Sequence, residues 1–197
     1  MITVEQAKEL IKLARDAVSA HFSRRSVKIS AGIRKKYADN MGVFITLKKN
    51  NQLRGCIGFP DATYPIYDGV VKAALSAAFS DPRFPQLDRK EFESVTIEIS
   101  LLSRPTVMEV RNPEEYIKKI RIGKDGVMIR GVFQSGLLLP QVAVEQGWDA
   151  KTFLEQACVK AGLPTDTWRD FEACNVLKFE GSVFAEQSPG GNVVKVL

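Results

Sequence analysis

Hydrophobic positions recur along the first twenty residues with the period of a helix. Ala7, Leu10, Ile11, Ala14, Ala17 and Val18 form one stripe, and Thr3 with Gln6 supplies the capping box that starts it. His21 extends the stripe and reads as a boundary residue at the helix end. Residues 24–40 are mixed, basic and read as loop-rich. Then the period changes. Gly42 to Leu47 reads as a strand, Asn50-Asn51 as a turn, and Leu53 to Phe59 as the return strand of a hairpin. Pro65 opens a helix running to about Ser80 through Val70, Ala73, Ala74, Ala77 and Ala78, whose small residues imply close packing on a sheet. Pro82 cannot continue it.

Further along, Asp88 and Glu91 mark a short capped turn. Val95 to Leu102 alternates, with Val95, Ile97, Ile99 and Leu101 on one face and Thr96, Glu98 and Ser100 on the other. Asn112-Pro113-Glu114-Glu115 is a helix start with Asn112 as cap. Gly123 to Gly126 reads as a hairpin turn into Val127-Met128-Ile129. A second hairpin is expected to pair Val132-Phe133 with Leu137 to Leu139, turning at Ser135-Gly136. Asp149 caps a helix with Phe153, Leu154, Ala157, Cys158 and Ala161 on its apolar face, and Gly162 stops it. Cys174 to Glu186 reads as a long last strand, and the tail after Ser188 as loose. Strands and helices alternate without a βαβ rhythm, and several strands pair as hairpins. The class is therefore α+β, with a mixed or largely antiparallel sheet flanked by helices. Residues 1–197 read as one domain, with about 105–140 as a small subordinate lobe.

Composition changes this picture little. The chain is 45% hydrophobic and 26% charged, ordinary for a globular protein. No apolar run approaches the ~20 residues of a membrane span, and the N-terminus lacks the layout of a signal peptide. The expectation is a cytoplasmic protein without membrane partners. Net charge is +5. Its short clusters, Arg24-Arg25, Arg34-Lys35-Lys36, Lys48-Lys49 and Lys118-Lys119, read as solvated loops and helix ends. Nucleic-acid binding would need them gathered on one face. Three widely spaced cysteines and one histidine argue against a disulfide framework or a zinc ribbon. Neither a G-x-G-x-x-G nor a G-x-x-x-x-G-K-[ST] occurs, so no cofactor is expected, and no metal.

One stretch stands apart: Leu53-Arg54-Gly55-Cys56-Ile57-Gly58. Strand alternation puts Arg54, Cys56 and Gly58 on one face and Leu53, Gly55 and Ile57 on the other. A guanidinium beside a thiol favours the thiolate, which is the nucleophile. Glycines open the backbone to a ligand. Packing explains the same residues in another way, since glycine in a strand marks close chain approach and cysteine is commonly buried. Gly55-Cys56-Ile57-Gly58 also matches the G-x-x-G of KH domains in form, but lies in a strand pattern. No general base is adjacent in sequence; Glu98, Glu145 and Asp81 are the acids the fold could supply. Cys158, on a core stripe, reads as inert.

Other distinctive stretches accompany it along the chain. Gly42 to Leu47 precedes it. Asp81-Pro82-Arg83-Phe84-Pro85, Ile97 to Ser103, Gly123 to Val127, Gly136 to Ala143 and Gly147-Trp148-Asp149 follow it. In this order the chain resembles the AMMECR domain family from about residue 4 to 186, and Leu53 to Gly58 is that family's signature. Gln86 departs from it, where members often carry another proline. The resemblance implies two unequal subdomains with a cleft between them and the signature near the cleft. It implies no settled activity. In some genomes the domain is linked to Memo-like and radical-SAM proteins, which would place it in a modification or biosynthetic pathway. It makes Cys56 and Arg54 candidate catalytic residues. Leu53, Gly55, Ile57, Gly58, Asp81, Arg83, Phe84 and Gln141 become candidate binding residues. Two readings follow. One is an enzyme or pathway component acting on an unknown small molecule or protein through Cys56. The other is a non-catalytic binding module for a protein partner or nucleic acid.

Overall fold

The computed structural model describes residues 2–196. In chain order the elements are α1 (Val4–Phe22), α2 (Ala31–Lys36), β1 (Gly42–Lys49), β2 (Gln52–Phe59), α3 (Ile66–Phe79), α4 (Arg89–Phe92), β3 (Val95–Leu102), β4 (Thr106–Val107), α5 (Glu114–Lys119), β5 (Asp125–Arg130), β6 (Ser135–Leu138), α6 (Pro140–Gln146), α7 (Ala150–Lys160), β7 (Asn175–Glu186) and β8 (Val193–Lys195). The class is α+β, and β1–β2, β1–β3, β4–β7, β5–β6, β5–β7 and β7–β8 all pair antiparallel. The chain divides into two compact units. The first holds residues 2–102 and Ser182–Val196, the second Ser103–Gly181. The stretch 105–140 lies within the second. Among the described residues no helix is long and apolar enough to cross a membrane.

In the first unit β1 lies between β2 and β3, and β2 ends the strand order. Val43, Ile45 and Leu47 of β1 and Ile97, Ile99 and Leu101 of β3 point to one face, where α1 and α3 cover them. The capping box at Thr3 forms as expected, with Gln6 N–H on Thr3 Oγ1 at 3.2 Å and Thr3 N–H on Gln6 Oε1 at 2.9 Å. The alanines of α3 are buried, as the close packing required. Asp88 caps α4. Glu186, at the end of β7, is buried; its carboxylate takes Arg15 from α1 and the N–H of Ile97. That triple contact ties the end of β7 to α1 and β3.

In the second unit β5 lies between β7 and β6, and β4 also pairs with β7. Val127, Ile129, Val176, Phe153, Leu154 and Trp168 centre its core. Asp149 caps α7 and Gly162 takes φ 75° just after it, both as the sequence predicted.

Five expectations need correction. The basic stretch 24–40 contains α2, because Ser30 caps it by accepting from Ile33 N–H. Gly123 and Lys124 lie between α5 and β5, and Asp125 and Gly126 already pair with β7 as the start of β5, so the stretch closes no hairpin. Asn112 gives no cap to the backbone; its amide donates to the Glu115 carboxylate and Pro113 takes the cap position. The tail after Ser188 returns as β8 on β7. The 132–139 hairpin is shifted: Arg130 pairs with Ser135 and Ile129 with Gly136. Gly136 is a packing glycine, since a Cβ there would lie 2.3 Å from the Ala161 nitrogen. Val132 and Phe133 become the tip, 75% and 94% exposed.

Candidate functional site

The β1–β2 hairpin turns on Asn50 and Asn51, both left-handed at φ 51° and 63°. Asparagine tolerates that region, and the resulting turn matches the twist of its strands. The strands pair regularly from Val43↔Phe59 to Leu47↔Gly55, then Lys48 pairs with Leu53. Arg54 is the extra residue of a β-bulge. This overturns the expected alternation. Arg54 leaves the Cys56 face and is buried; its Nε and Nη2 donate to the two oxygens of Glu91, each at 2.9 Å. Nη2 also donates to the Pro85 carbonyl at 2.9 Å. Arg54 and Cys56 are neighbours in sequence but not partners in space.

Cys56 is half-exposed on the sheet face away from α3. Its cross-strand partner is Thr46, whose hydroxyl donates to Sγ at 3.2 Å. Because β2 is an edge strand, the outward N–H and C=O of Cys56 need other partners. Asp81 and Arg83, from the segment after α3, supply them. Asp81 Oδ2 accepts from Cys56 N–H at 2.8 Å, and Arg83 Nη2 donates to the Cys56 carbonyl at 2.9 Å. Asp81 is buried and also takes the backbone N–H, Nε and Nη2 of Arg83. The Arg83 guanidinium, helped by backbone N–H groups and against the cost of burial, holds the Asp81 carboxyl well below the usual carboxylate range. The same guanidinium lies beside the Cys56 side chain. So a cation does flank the thiol, but it arrives from 27 residues away.

The remaining signature residues have packing roles. A Cβ on Gly55 would lie 2.2 Å from the Ala77 carbonyl oxygen, so glycine is what lets α3 close on β2. A Cβ on Gly58 would lie 2.3 Å from the Phe44 ring, which covers its cross-strand glycine. Ile57 packs on the core, and Leu53 is 43% exposed near the turn. Phe84 has both guanidiniums near its ring, Arg54 at 5.8 Å and Arg83 at 5.6 Å. Arg54 Nη1 is buried without a hydrogen-bond partner among the described residues.

Of the acids considered, Asp81 holds the backbone of Cys56 rather than its sulfur. Glu98 pairs with Thr46 across β1–β3, so Cys56, Thr46 and Glu98 form one row over three strands. That sets Glu98 about two strand spacings, roughly 10 Å, from Cys56. Lys48 Nζ sits 2.8 Å from the Glu98 carboxylate on the same face. Glu145 and Gln141 lie on α6 in the second unit, where Gln141 Oε1 is buried without a hydrogen-bond partner among the described residues. His21 stacks on Phe79 with ring centroids 4.1 Å apart. The basic clusters are partly neutralised, with Lys36 on Glu9, Lys49 on Glu91 and Lys119 on Glu115. Among the described residues no three His, Cys, Asp or Glu side chains gather for a metal ion. Sequence reasoning missed Thr46 and Lys48. A threonine and a lysine in a strand carry no signal of their own, and only the pairing register puts them beside Cys56 and Glu98.

Comparison with known proteins comes out consistently. The AMMECR1 family model matches residues 11–184. "Protein MK0488" of Methanopyrus kandleri is 46% identical over 196 residues, covering 98% of this chain and 94% of the relative. A protein of Aquifex aeolicus is 46% identical over 191 residues, covering 96% and 97%. The crystal structure of an uncharacterized protein, PH0010, from Pyrococcus horikoshii superposes with a TM-score of 0.88 at 40% identity, over 98% of both chains.

Proposed function

The chain belongs to the AMMECR1 family, and on that premise we propose that it acts through the Cys56 thiol as a nucleophile, either as an enzyme or as a component of a modification pathway. One observation carries this reading. Cys56 is the half-exposed cysteine of the three, with the Thr46 hydroxyl donating to its sulfur and the Arg83 guanidinium beside it. A hydroxyl donor on the sulfur and a guanidinium near it suit a sulfur that acts as nucleophile and leaving group. The Asp81–Arg83 brace keeps the backbone of Cys56 still, so the attacking atom is held in place before a substrate arrives.

The reaction class this supports is attack on an electrophilic carbon. Sulfur forms the C–S bond, and the leaving group departs with its electron pair. Glu98 is the better acid–base candidate than Asp81, because both Asp81 oxygens are engaged by Arg83 and the backbone. A substrate lying along the row Cys56–Thr46–Glu98 would meet both groups. Three free cysteines fit a reducing compartment, and we place the protein in the cytoplasm.

The test is alkylation of the native chain with iodoacetamide at neutral pH, with the labelled sites mapped by mass spectrometry. Cys56 is expected to react at least about 100-fold faster than Cys158 and Cys174, which need transient opening of a core to be reached. Equal and slow labelling of all three, speeding up together in denaturant, overturns the reading. The non-catalytic alternative then takes its place. The observation that favours it is the exposed Val132-Phe133 tip of the second unit, an apolar pair of the kind a protein partner covers.

A further inference from the structure

The first unit holds a cavity that has no part in the Cys56 face. It lies among the C-terminal end of α1, the segment that follows and the middle of α3, and measures about 240 Å³. Ala17, Val27, Ile29, Val71 and Leu75 give it apolar walls. The last four are only half-buried, so the core does not fill the space they border. His21, Arg25 and Ser26 supply the polar lining. No carboxylate is among these lining residues.

The position of Arg25 is set by the backbone. At the end of α1, Arg24 takes a left-handed φ of 52°. Ser23 and Arg25 N–H groups then both close on the Ala20 carbonyl, at 3.0 Å each. This turn fixes where Arg25 leaves the helix. None of the ion pairs among the described residues engages its guanidinium. An apolar space with an exposed, unneutralised cation at its edge selects a ligand with an apolar body and a negative end. The volume falls below the roughly 300 Å³ at which pockets for drug-sized ligands begin, so the body is short.

We propose that this cavity binds a small organic anion, a short aliphatic carboxylate, with its chain against Val27, Ile29, Val71 and Leu75 and its carboxylate on Arg25. The site shares no residue with the Cys56 row, so it stands or falls separately from the thiol reading.

The experiment is a methyl-resolved NMR titration of the full chain with hexanoate, with hexylamine of equal length as the charge control. Hexanoate is expected to shift the methyl signals of Val27, Ile29, Val71 and Leu75 saturably and to leave Val132 unmoved. Hexylamine is expected to bind about tenfold more weakly or worse, the worth of one charge-assisted contact. Arg25→Glu, at an exposed residue without an ion-pair partner, is expected to lose the preference for hexanoate while the other methyl signals stay in place. Equal affinity for both ligands, shifts scattered outside the cavity, an unchanged preference in Arg25→Glu, or no saturable shift at millimolar hexanoate would each overturn the proposal.

Discussion

The sheet face of the first unit and the core of the second both carry cysteine, with opposite results. Cys158 is fully buried on α7, and Cys174 is buried just before β7. Burial pushes the Cys158 thiol up and the Cys174 thiol up to about 11. Both stay neutral and pack as small apolar groups. Cys56 has a hydroxyl, a guanidinium and a braced backbone around it and faces outward. The side chain is the same in all three places. Its surroundings bury it in one unit and leave it half-exposed in the other.

The largest expected effect on that contrast comes from Asp81→Ala. It leaves the N–H of Cys56 without its acceptor and Arg83 without its partner, and should cost about 3 kcal/mol in denaturant unfolding. The pH dependence follows from the lowered pKa of Asp81. A carboxyl depressed in the folded state stabilises above its unfolded value, about 4, and loses that contribution as pH falls toward its folded value. The gap between the parent chain and Asp81→Ala should therefore narrow in acid below about pH 4. A gap of equal size at neutral and strongly acid pH would show that the carboxylate is not its source.

Gly55→Ala should come next, at about 2–3 kcal/mol, because its Cβ meets backbone of α3 that a rotamer change cannot move. Gly136→Ala makes the matching clash with α7 in the second unit. Only the first is expected to alter the alkylation of Cys56. If both alter it alike, the two regions are not separable in the way proposed. The smallest effect is assigned to Thr46→Val. It keeps the shape, removes the donor to sulfur, and should slow Cys56 alkylation about 3- to 10-fold while moving stability by less than about 1 kcal/mol. Unchanged labelling kinetics would remove Thr46 from the site.

Much of this was legible in the order of residues. The Thr3–Gln6 box, the Asp88 and Asp149 caps, the alanine face of α3 and the alternation of β3 are short-range patterns, and each gives the element it predicts. Cys56 was legible as the candidate thiol, and Asp81 and Arg83 as its neighbours through the family resemblance. Arg54 was misread. One inserted residue shifts a side chain to the other face, and nothing in Gln52 to Phe59 marks which residue bulges. Val132 and Phe133 were misread for a related reason, since a shift in register turned two strand residues into a tip.

By itself the sequence determined the class of fold and most of its elements, and it singled out Cys56 as the candidate thiol. Those follow from capping, periodicity and turn chemistry, which act over a few residues. Only the tertiary structure decided which arginine stands beside the thiol, that Thr46 and Glu98 share its row, and that an Asp81–Arg83 brace takes the place of a neighbouring strand. Those depend on pairing register and on how a segment 25 residues away packs at a sheet edge. Such long-range choices are fixed by the burial of the whole core, so no local pattern records them.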